Sequence, residues 1–198
     1  LLLGWWQDAP GASVLAAVDT LRRAGKVRFV AISTHRRPLA GDWVARGGPA
    51  DAFHAPSTPD DRIPADVVHV RYNAVHRGAE SEVLAHAHAR SPGIVAFTAT
   101  RWGTLCEPRA GEPRTPTASD CYRFVLSHPA VGVCLSGPRD GEDLRAAVAG
   151  LERGPMDPDE LSWMRGVGER LYRARGEGHF MTARGIARFT AKWTERAR

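Results

Sequence analysis

Two stretches decide the fold: VVHVRY at residues 67–72 and GIVAFT at residues 93–98. Both are short, both are rich in β-branched and aromatic residues, and Asp or Pro precedes each, which is typical of strands. Their apolar residues occupy consecutive as well as alternate positions, as in parallel strands that are covered on both faces. The fold therefore depends on how many such strands the chain holds and on what connects them.

Three further segments have the same character: residues 1–6, VRFVAIS at 27–33 and VGVCL at 131–135. Between the strands lie segments with apolar residues at helical spacing. The predicted helices are 13–24, 38–46, 79–90, 119–127, 140–151 and 157–175. The repeated order of strand, loop, helix, loop and strand predicts a parallel sheet with crossover helices.

The sequence favours a barrel over a doubly wound dinucleotide fold. The latter places GxGxxG directly after its first strand, whereas QDAP follows residue 6 here. A (β/α)8 TIM barrel needs eight strands, and an open sheet of five would expose two long edges. We therefore expect a partial TIM barrel with about three strands before residue 1. Residues 1–153 are predicted to be its C-terminal part, and 154–198 a helical, Arg-rich extension.

The positive charge is confined to one end of the chain. The formal net charge of the 198 residues is +5, yet residues 165–198 hold nine basic and three acidic residues. The rest of the chain is close to neutral and gives no sign of a nucleic-acid-binding face. The tail is predicted to be a solvated helix. A minor alternative is nucleic-acid contact through its arginines and the interleaved Phe180, Phe189 and Trp193.

The cysteines and the hydropathy pattern bear on location. Cys106, Cys121 and Cys134 are odd in number and form no CxxC pair. No apolar run approaches membrane-spanning length, and no secretory signal precedes the first strand. Reduced thiols in a cytoplasmic protein, without a membrane partner, are therefore expected. His86 and His88, two residues apart on a predicted helix, do not face each other, and no metal site is expected.

Four segments, in a shared order, resemble the C-terminal part of the aldo/keto reductase family. GKVRFVAIS at 25–33 resembles that family's GKVRxIGxS strand, and YN at 72–73 follows the next strand. IVAFT at 94–98 leads to GTL, and YRFVLS at 122–127 precedes LSG at 135–137. The resemblance covers roughly residues 1–153 and identifies the five strands as numbers four to eight of the barrel.

The resemblance implies NADP(H) bound across the barrel mouth and hydride transfer to or from a small carbonyl or alcohol compound. At the nicotinamide end, Ser33 matches the serine that binds the carboxamide. Thr34 stands where the family usually has Asn, and His69 where Gln is usual. Phe97 matches the aromatic residue that stacks under the nicotinamide ring.

The resemblance also implies cofactor contacts from Thr98 and Thr100, at and after the end of the fourth predicted strand, and from Leu135, which ends the fifth. At the phosphate end, it implies contacts from Ser136, Gly137 and Arg139, which follow the fifth predicted strand. Arg139 is predicted to bind the 2′-phosphate of NADP(H), because its planar guanidinium suits phosphate oxygens. The family's adenine-binding Glu–Asn pair is replaced by alanines at 146 and 147.

The catalytic set implied by the resemblance is incomplete in this sequence. The family's tyrosine, lysine and aspartate would lie on strands before residue 1, and its histidine aligns with Gly4. Trp5, Trp6 and His35 are predicted to contact the substrate. Two hypotheses stay open: a reductase whose preceding strands carry the catalytic residues, or a catalytically impaired binding or regulatory barrel.

Overall fold

The computed structural model describes residues 1–6, 10–46, 65–112 and 114–175, with the side chains of residues 5, 6 and 175 excepted. In this part of the chain, five parallel strands form one sheet in the order β1-β2-β3-β4-β5. The strands are β1 (Leu2–Trp6), β2 (Ala31–Thr34), β3 (Val67–Arg71), β4 (Gly93–Phe97) and β5 (Val133–Cys134). Because successive strands are parallel neighbours, each connection returns the chain to the same edge. The predicted α/β class is confirmed.

Helices occur in each connection that the structure describes, and two more follow β5. They are α1 (Ala12–Arg23), α2 (Arg37–Arg46), α3 (Gly78–Glu82), α4 (Ala118–Leu126), α5 (Gly141–Glu152) and α6 (Pro158–Arg175). None of these described helices is long and apolar enough to cross a membrane. Residues 176–198, with Phe180, Phe189, Trp193 and the last five basic residues of the predicted tail, lie outside the described residues.

Burial alternates along the strands and gives the sheet two unlike faces. In β2, β3 and β4, every second residue is buried, and Ile32, Val68, Ile94 and Ala96 are 3% exposed or less. This outer face packs against the helices, and Phe124 of α4 is among the largest side chains in the shared core. The residues between them on the strands are only partly buried and form the inner face.

Small residues let the helices approach the rest of the molecule closely. A Cβ at Gly168 of α6 would lie 1.9 Å from the backbone oxygen of Ala74, just after β3. A Cβ at Gly41 of α2 would lie 2.0 Å from the backbone oxygen of Glu82. Both contacts are closer than any side chain allows. Glycine at these positions therefore sets how tightly the helical layer covers the outer face.

The first helix of the extension is attached through a buried ion pair. Arg123 of α4 is 3% exposed and contacts both carboxylate oxygens of Glu160 of α6, at 2.6 and 2.7 Å. Its guanidinium also donates to the carbonyl oxygens of Gly154 and Pro155. Hydrogen bonds from Arg123 lower the pKa of Glu160 to about 2. Arg123 thus binds α4 both to the chain between α5 and α6 and to the first turn of α6.

The predicted helix over 79–90 is wrong. Only Gly78–Glu82 is helical, Val83 departs to φ −131°, and a single 3-10 turn follows at Leu84–His86. The reason is tertiary. His88 Nε2 and Ser91 Oγ lie 3.1 and 2.8 Å from backbone carbonyl oxygens in the last turn of α2. This segment therefore caps α2 rather than continuing α3.

The strand predicted at 27–33 begins later, at Ala31. Asp66, the residue before β3, accepts a hydrogen bond from the Val30 N–H at 2.7 Å. Its carboxylate also forms an ion pair with Arg22 of α1. The Val30 N–H is therefore taken by a side chain before the ladder begins. Asp66 joins α1, β2 and β3 at the amino edge of the sheet.

Candidate functional site

The carboxyl ends of the strands meet at one edge, and there the inner face carries polar and aromatic side chains. Ser33, His69 and Phe97 all lie on this face and are partly buried. Ser33 is the register partner of His69 across β2 and β3. Parallel sheets place functional groups at this edge because the loops that follow the strands converge there.

Ser33 and His69 form the polar part of this face. Because their strands are adjacent, their backbones lie about 4.8 Å apart and both side chains point the same way. Burial lowers the pKa of His69, so its ring is neutral at pH 7. A neutral imidazole offers one donor and one acceptor, while the serine hydroxyl offers both in one group. Together they can bind a carboxamide.

Phe97 provides the aromatic part of the same face. It ends β4, and the ring of His35 stands edge-on to it, with centroids 5.7 Å apart and planes at 82°. His35 is the first residue after β2, so the contact joins two loops across the sheet edge. Burial, and to a smaller extent the charge of Arg71, lower the pKa of His35. The exposed part of the Phe97 ring is a surface on which a flat ligand can stack.

Thr34 lies on the opposite face from Ser33. It is 3% exposed, and its hydroxyl oxygen accepts a hydrogen bond from the Arg36 N–H at 3.0 Å. Adjacent strand residues point to opposite faces, so Ser33 and Thr34 cannot both present side chains to one ligand. The structure thus does not bring the Thr34 side chain together with the other residues predicted at the nicotinamide end.

The loop after β4 is conformationally strained. Thr98 has φ 60°, and Arg101 and Trp102 have φ 51° and 54°. A left-handed β-branched residue is a true outlier, and such strain concentrates at functional sites. Asn73, fully buried after β3, holds the loop by donating to the Thr98 carbonyl at 2.8 Å. The Thr100 hydroxyl accepts from the Gly103 N–H at 3.2 Å.

The loop after β5 is exposed and leads directly into α5. Leu135, Ser136, Gly137 and Arg139 are all exposed, and a Cβ at Gly137 would meet nothing within 4 Å. The Ser136 hydroxyl donates to the Tyr122 hydroxyl at 3.0 Å. The Arg139 guanidinium contacts both oxygens of Asp143, at 2.5 and 2.8 Å. A phosphate would therefore compete with Asp143 for this guanidinium.

The remaining predicted positions are divided between described and undescribed residues. Gly4 is exposed on β1, and a Cβ there would meet nothing within 4 Å. Trp5 and Trp6 belong to β1, but their side chains lie outside the described part of the molecule. Of the two alanines in the adenine-clasp positions, Ala147 is buried in α5 and Ala146 is exposed.

Tyr72 follows β3 at the carboxyl edge but is not placed to donate a proton to a ligand. It is 2% exposed on the outer side, and its hydroxyl donates to Glu80 Oε1 at 2.9 Å. Burial and the carboxylate of Glu80 raise its pKa well above the ordinary value. Glu80 is also bound through both oxygens by Arg77. This group joins β3 to α3.

Arg71 lies on the inner face but is not among the site residues that the family motifs predict. Arg71 ends β3, is partly exposed, and is the register partner of Phe97. The alternation His69, Val70, Arg71 was sufficient to place it on the same face as His69.

A cavity of about 470 Å³ lies at the amino edge of the sheet, near Leu84 and Ile94, away from these side chains.

The fold and the candidate site define a class: a parallel (β/α) barrel sheet with polar and aromatic side chains at its carboxyl edge. Comparison of the sequence with protein-family models gives no match, and neither does comparison with curated protein sequences. Comparison with solved structures does match. The holo form of aldo-keto reductase AKR11C1 from Bacillus halodurans superposes with a TM-score of 0.59 at 16% identity, covering 84% of this chain and 57% of that chain.

The apo form of the same reductase gives a TM-score of 0.56 at 16% identity, covering 84% of this chain and 60% of that chain. The chain thus spans less than two thirds of the length of these reductases. The match shows that this chain has the fold of an aldo-keto reductase barrel, in part. The predicted resemblance in fold and the partial TIM barrel are therefore confirmed.

Proposed function

We propose that this chain supplies strands four to eight of an NADP(H)-dependent aldo/keto reductase barrel, which reduces a carbonyl compound or oxidises the corresponding alcohol. The observation that carries the proposal is the grouping of Ser33, His69 and Phe97 on the inner face at the carboxyl edge. When bound, the cofactor supplies a hydride to the carbonyl carbon, while a proton goes to the oxygen. Three free cysteines favour the cytoplasm as its location.

The nicotinamide end of the cofactor fits the chemistry of the side chains present. The partly exposed Phe97 ring offers a stacking surface, and Ser33 and His69 offer a donor and acceptors for the carboxamide. Thr98 and Thr100 follow Phe97 in the adjoining loop, and we propose that they contact the cofactor there. The ring of His35 contacts Phe97 in a T-shaped arrangement beside this surface.

The phosphate end fits less closely. The loop containing Leu135, Ser136 and Gly137 is exposed and has room for a phosphate against its backbone. Arg139 ends this loop, and its guanidinium is bound by Asp143 in this structure. We propose that the 2′-phosphate of NADP(H) displaces Asp143 from Arg139. This requirement predicts a preference for NADP(H) over NAD(H) that depends on Arg139.

A second candidate function follows from Gly4. Glycine has no side chain that could donate to a carbonyl oxygen, so a barrel of this kind could bind the cofactor without catalysing turnover. Space at Gly4 permits a test, because a new side chain there meets nothing within 4 Å. In a longer protein that includes the proposed preceding strands, a Gly4→His variant that reduces benzaldehyde faster than the wild type would favour the reductase. Cofactor binding without turnover in either form of that longer protein would favour the binding barrel.

The test of the proposal is a fluorescence titration of the chain with NADPH and NADH. Phe97→Ala should weaken both by about tenfold through loss of stacking. The matched control is Phe29→Ala, because Phe29 is 60% exposed at the opposite edge of the sheet. Arg139→Gln should weaken only NADPH, by about tenfold. Its control is Arg173→Gln, which removes a similarly exposed pairing with Glu169.

Two results would count against the proposal. Wild-type chain that binds neither cofactor would remove the proposed function. Equal effects of Phe97→Ala and Phe29→Ala would remove the assigned platform, even if a cofactor bound elsewhere.

A further inference from the structure

Arg71 is a charged group at the candidate site to which the proposed cofactor binding gives no role. It ends β3 on the inner face, beside Phe97 on β4, and the two backbones lie about 4.8 Å apart. Among the other described strand residues of the inner face, Ser33 and His69 are polar and the rest are apolar. Arg71 is therefore the charged residue among the described strand residues of this face.

His35 approaches the same ring from β2. Its ring contacts Phe97 edge-on at 5.7 Å, and the charge of Arg71 acts on it together with burial to lower its pKa. A neutral imidazole adds a hydrogen-bond donor without adding charge. Arg71, the last residue of β3, and His35, the first residue after β2, thus both lie beside Phe97, one as a cation and the other as a neutral donor.

A guanidinium beside a neutral hydrogen-bond donor is suited to bind the two oxygens of a carboxylate. A guanidinium offers two parallel N–H groups that match the two oxygens of a carboxylate, and such bonds are among the strongest polar contacts. Arg71 lies on the β3 side of Phe97, whereas Arg139 follows β5 on the other side. With the nicotinamide on Phe97 and the phosphates near Arg139, an anion at Arg71 belongs to the substrate.

We propose that Arg71, assisted by His35, binds a carboxylate on the substrate, so that the reaction uses 2-oxo acids and their 2-hydroxy acid products. This inference rests on the proposed function. In the reduction, the carbonyl carbon gains the hydride of NADPH and the carbonyl oxygen gains a proton. The products are the 2-hydroxy acid and NADP⁺, and both the carboxylate and Arg71 keep their charges throughout.

The test compares an acid with its neutral ester on the chain saturated with NADP⁺. Phenylglyoxylate and methyl phenylglyoxylate are titrated into wild type, Arg71→Gln, Arg71→Lys and the control Arg90→Gln. Arg90 is exposed before β4, at the opposite edge of the sheet. We expect the acid to bind at least about tenfold more tightly than the ester in wild type and in Arg90→Gln. Arg71→Gln should abolish the difference, and Arg71→Lys should restore part of it.

A separate titration distinguishes a substrate carboxylate from a cofactor phosphate. Adenosine 2′,5′-bisphosphate should bind wild type and Arg71→Gln equally. If Arg71→Gln weakens it as much as phenylglyoxylate, the anion site belongs to the cofactor and the proposal is overturned. Equal binding of acid and ester to the wild type, or no binding of either, also overturns it.

An NMR titration of His35 distinguishes loss of the Arg71 charge from misfolding of the Arg71→Gln variant. NMR titration of His35 should show a higher pKa in Arg71→Gln than in wild type, because the neighbouring cation is gone. An unchanged pKa would mean that Arg71 does not face His35, which overturns the geometry. If NADP⁺ fails to bind, the proposed function fails, but discrimination between acid and ester by Arg71 can still be measured without the cofactor.

Discussion

The outer and inner faces of the sheet are built from the same five strands but differ in almost every physical property. The outer face is apolar, buried under helices and closely packed, as Ile32 and Val68 show with no exposed surface. The inner face is partly exposed and carries Ser33, His69 and Arg71. Successive residues of each strand point to opposite faces, so the side chains that stabilise the fold lie on one face and those of the candidate site on the other. Substitutions on the outer face should therefore lower stability, and substitutions on the inner face should mainly lower ligand affinity.

The largest expected contrast is between two phenylalanines. Phe124 on α4 is 1% exposed and packs against Tyr72, so Phe124→Ala should lower the free energy of unfolding by about 3–5 kcal/mol. Phe97→Ala removes a partly exposed ring and should cost only about 1 kcal/mol. Denaturant unfolding of both variants measures the difference. Equal losses would mean that the inner face is as much a core as the outer one.

The second contrast lies within one helix of the outer layer. Gly168→Ala forces a Cβ against the Ala74 carbonyl oxygen and should destabilise the protein by about 2 kcal/mol. Gly166→Ala meets only the flexible end of Arg170 at 3.1 Å and should be neutral or stabilising, by up to about 1 kcal/mol. Thermal unfolding compares them. A Gly168→Ala variant as stable as Gly166→Ala would show that α6 does not pack closely against the segment after β3.

Much of this contrast could be predicted from the sequence. Runs such as VVHVRY identified all five strands and their parallel order, because buried strands have a strong compositional signature. The same period of two would have placed Arg71 inside and Thr34 outside. The family resemblance places Thr34 beside Ser33 at the cofactor because the two are adjacent in sequence, although adjacent strand residues point to opposite faces.

Other features could not be read from the sequence. The pairing of Arg139 with Asp143, the left-handed Thr98 and the break after α3 depend on tertiary contacts. Local propensity favours a continued helix after Glu82, yet the carbonyl groups of α2 require donors from the following segment. Such competition between local and distant hydrogen bonds leaves no mark on a single sequence.

The third prediction concerns the ion pair between Arg123 and Glu160. Glu160→Gln should cost about 2 kcal/mol at pH 7 and leave NADPH affinity unchanged, since the pair lies in the outer layer. In the folded protein the pKa of Glu160 is lowered to about 2, whereas in the unfolded chain it is about 4.3. The stabilisation is therefore fully present above the unfolded pKa and is lost as the pH falls towards 2.

Denaturant unfolding at pH 7, 4 and 3 follows this loss, with the exposed Glu152→Gln as the control. A difference between Glu160→Gln and wild type that does not shrink at low pH would contradict the assignment of the stabilisation to the charged pair.

The smallest effect should come from the strained loop at the edge of the inner face. Thr98→Gly places glycine where φ is 60° and should raise the free energy of unfolding by up to about 1 kcal/mol, because the side chain no longer opposes the backbone. Thr104→Gly, in the 3-10 turn of the same loop, should be neutral or destabilising. The two thermal midpoints compare them. If the strain serves to position Phe97 for its ligand, the more stable Thr98→Gly should bind NADPH more weakly. A variant that gains stability and keeps its affinity would separate the strain from the site.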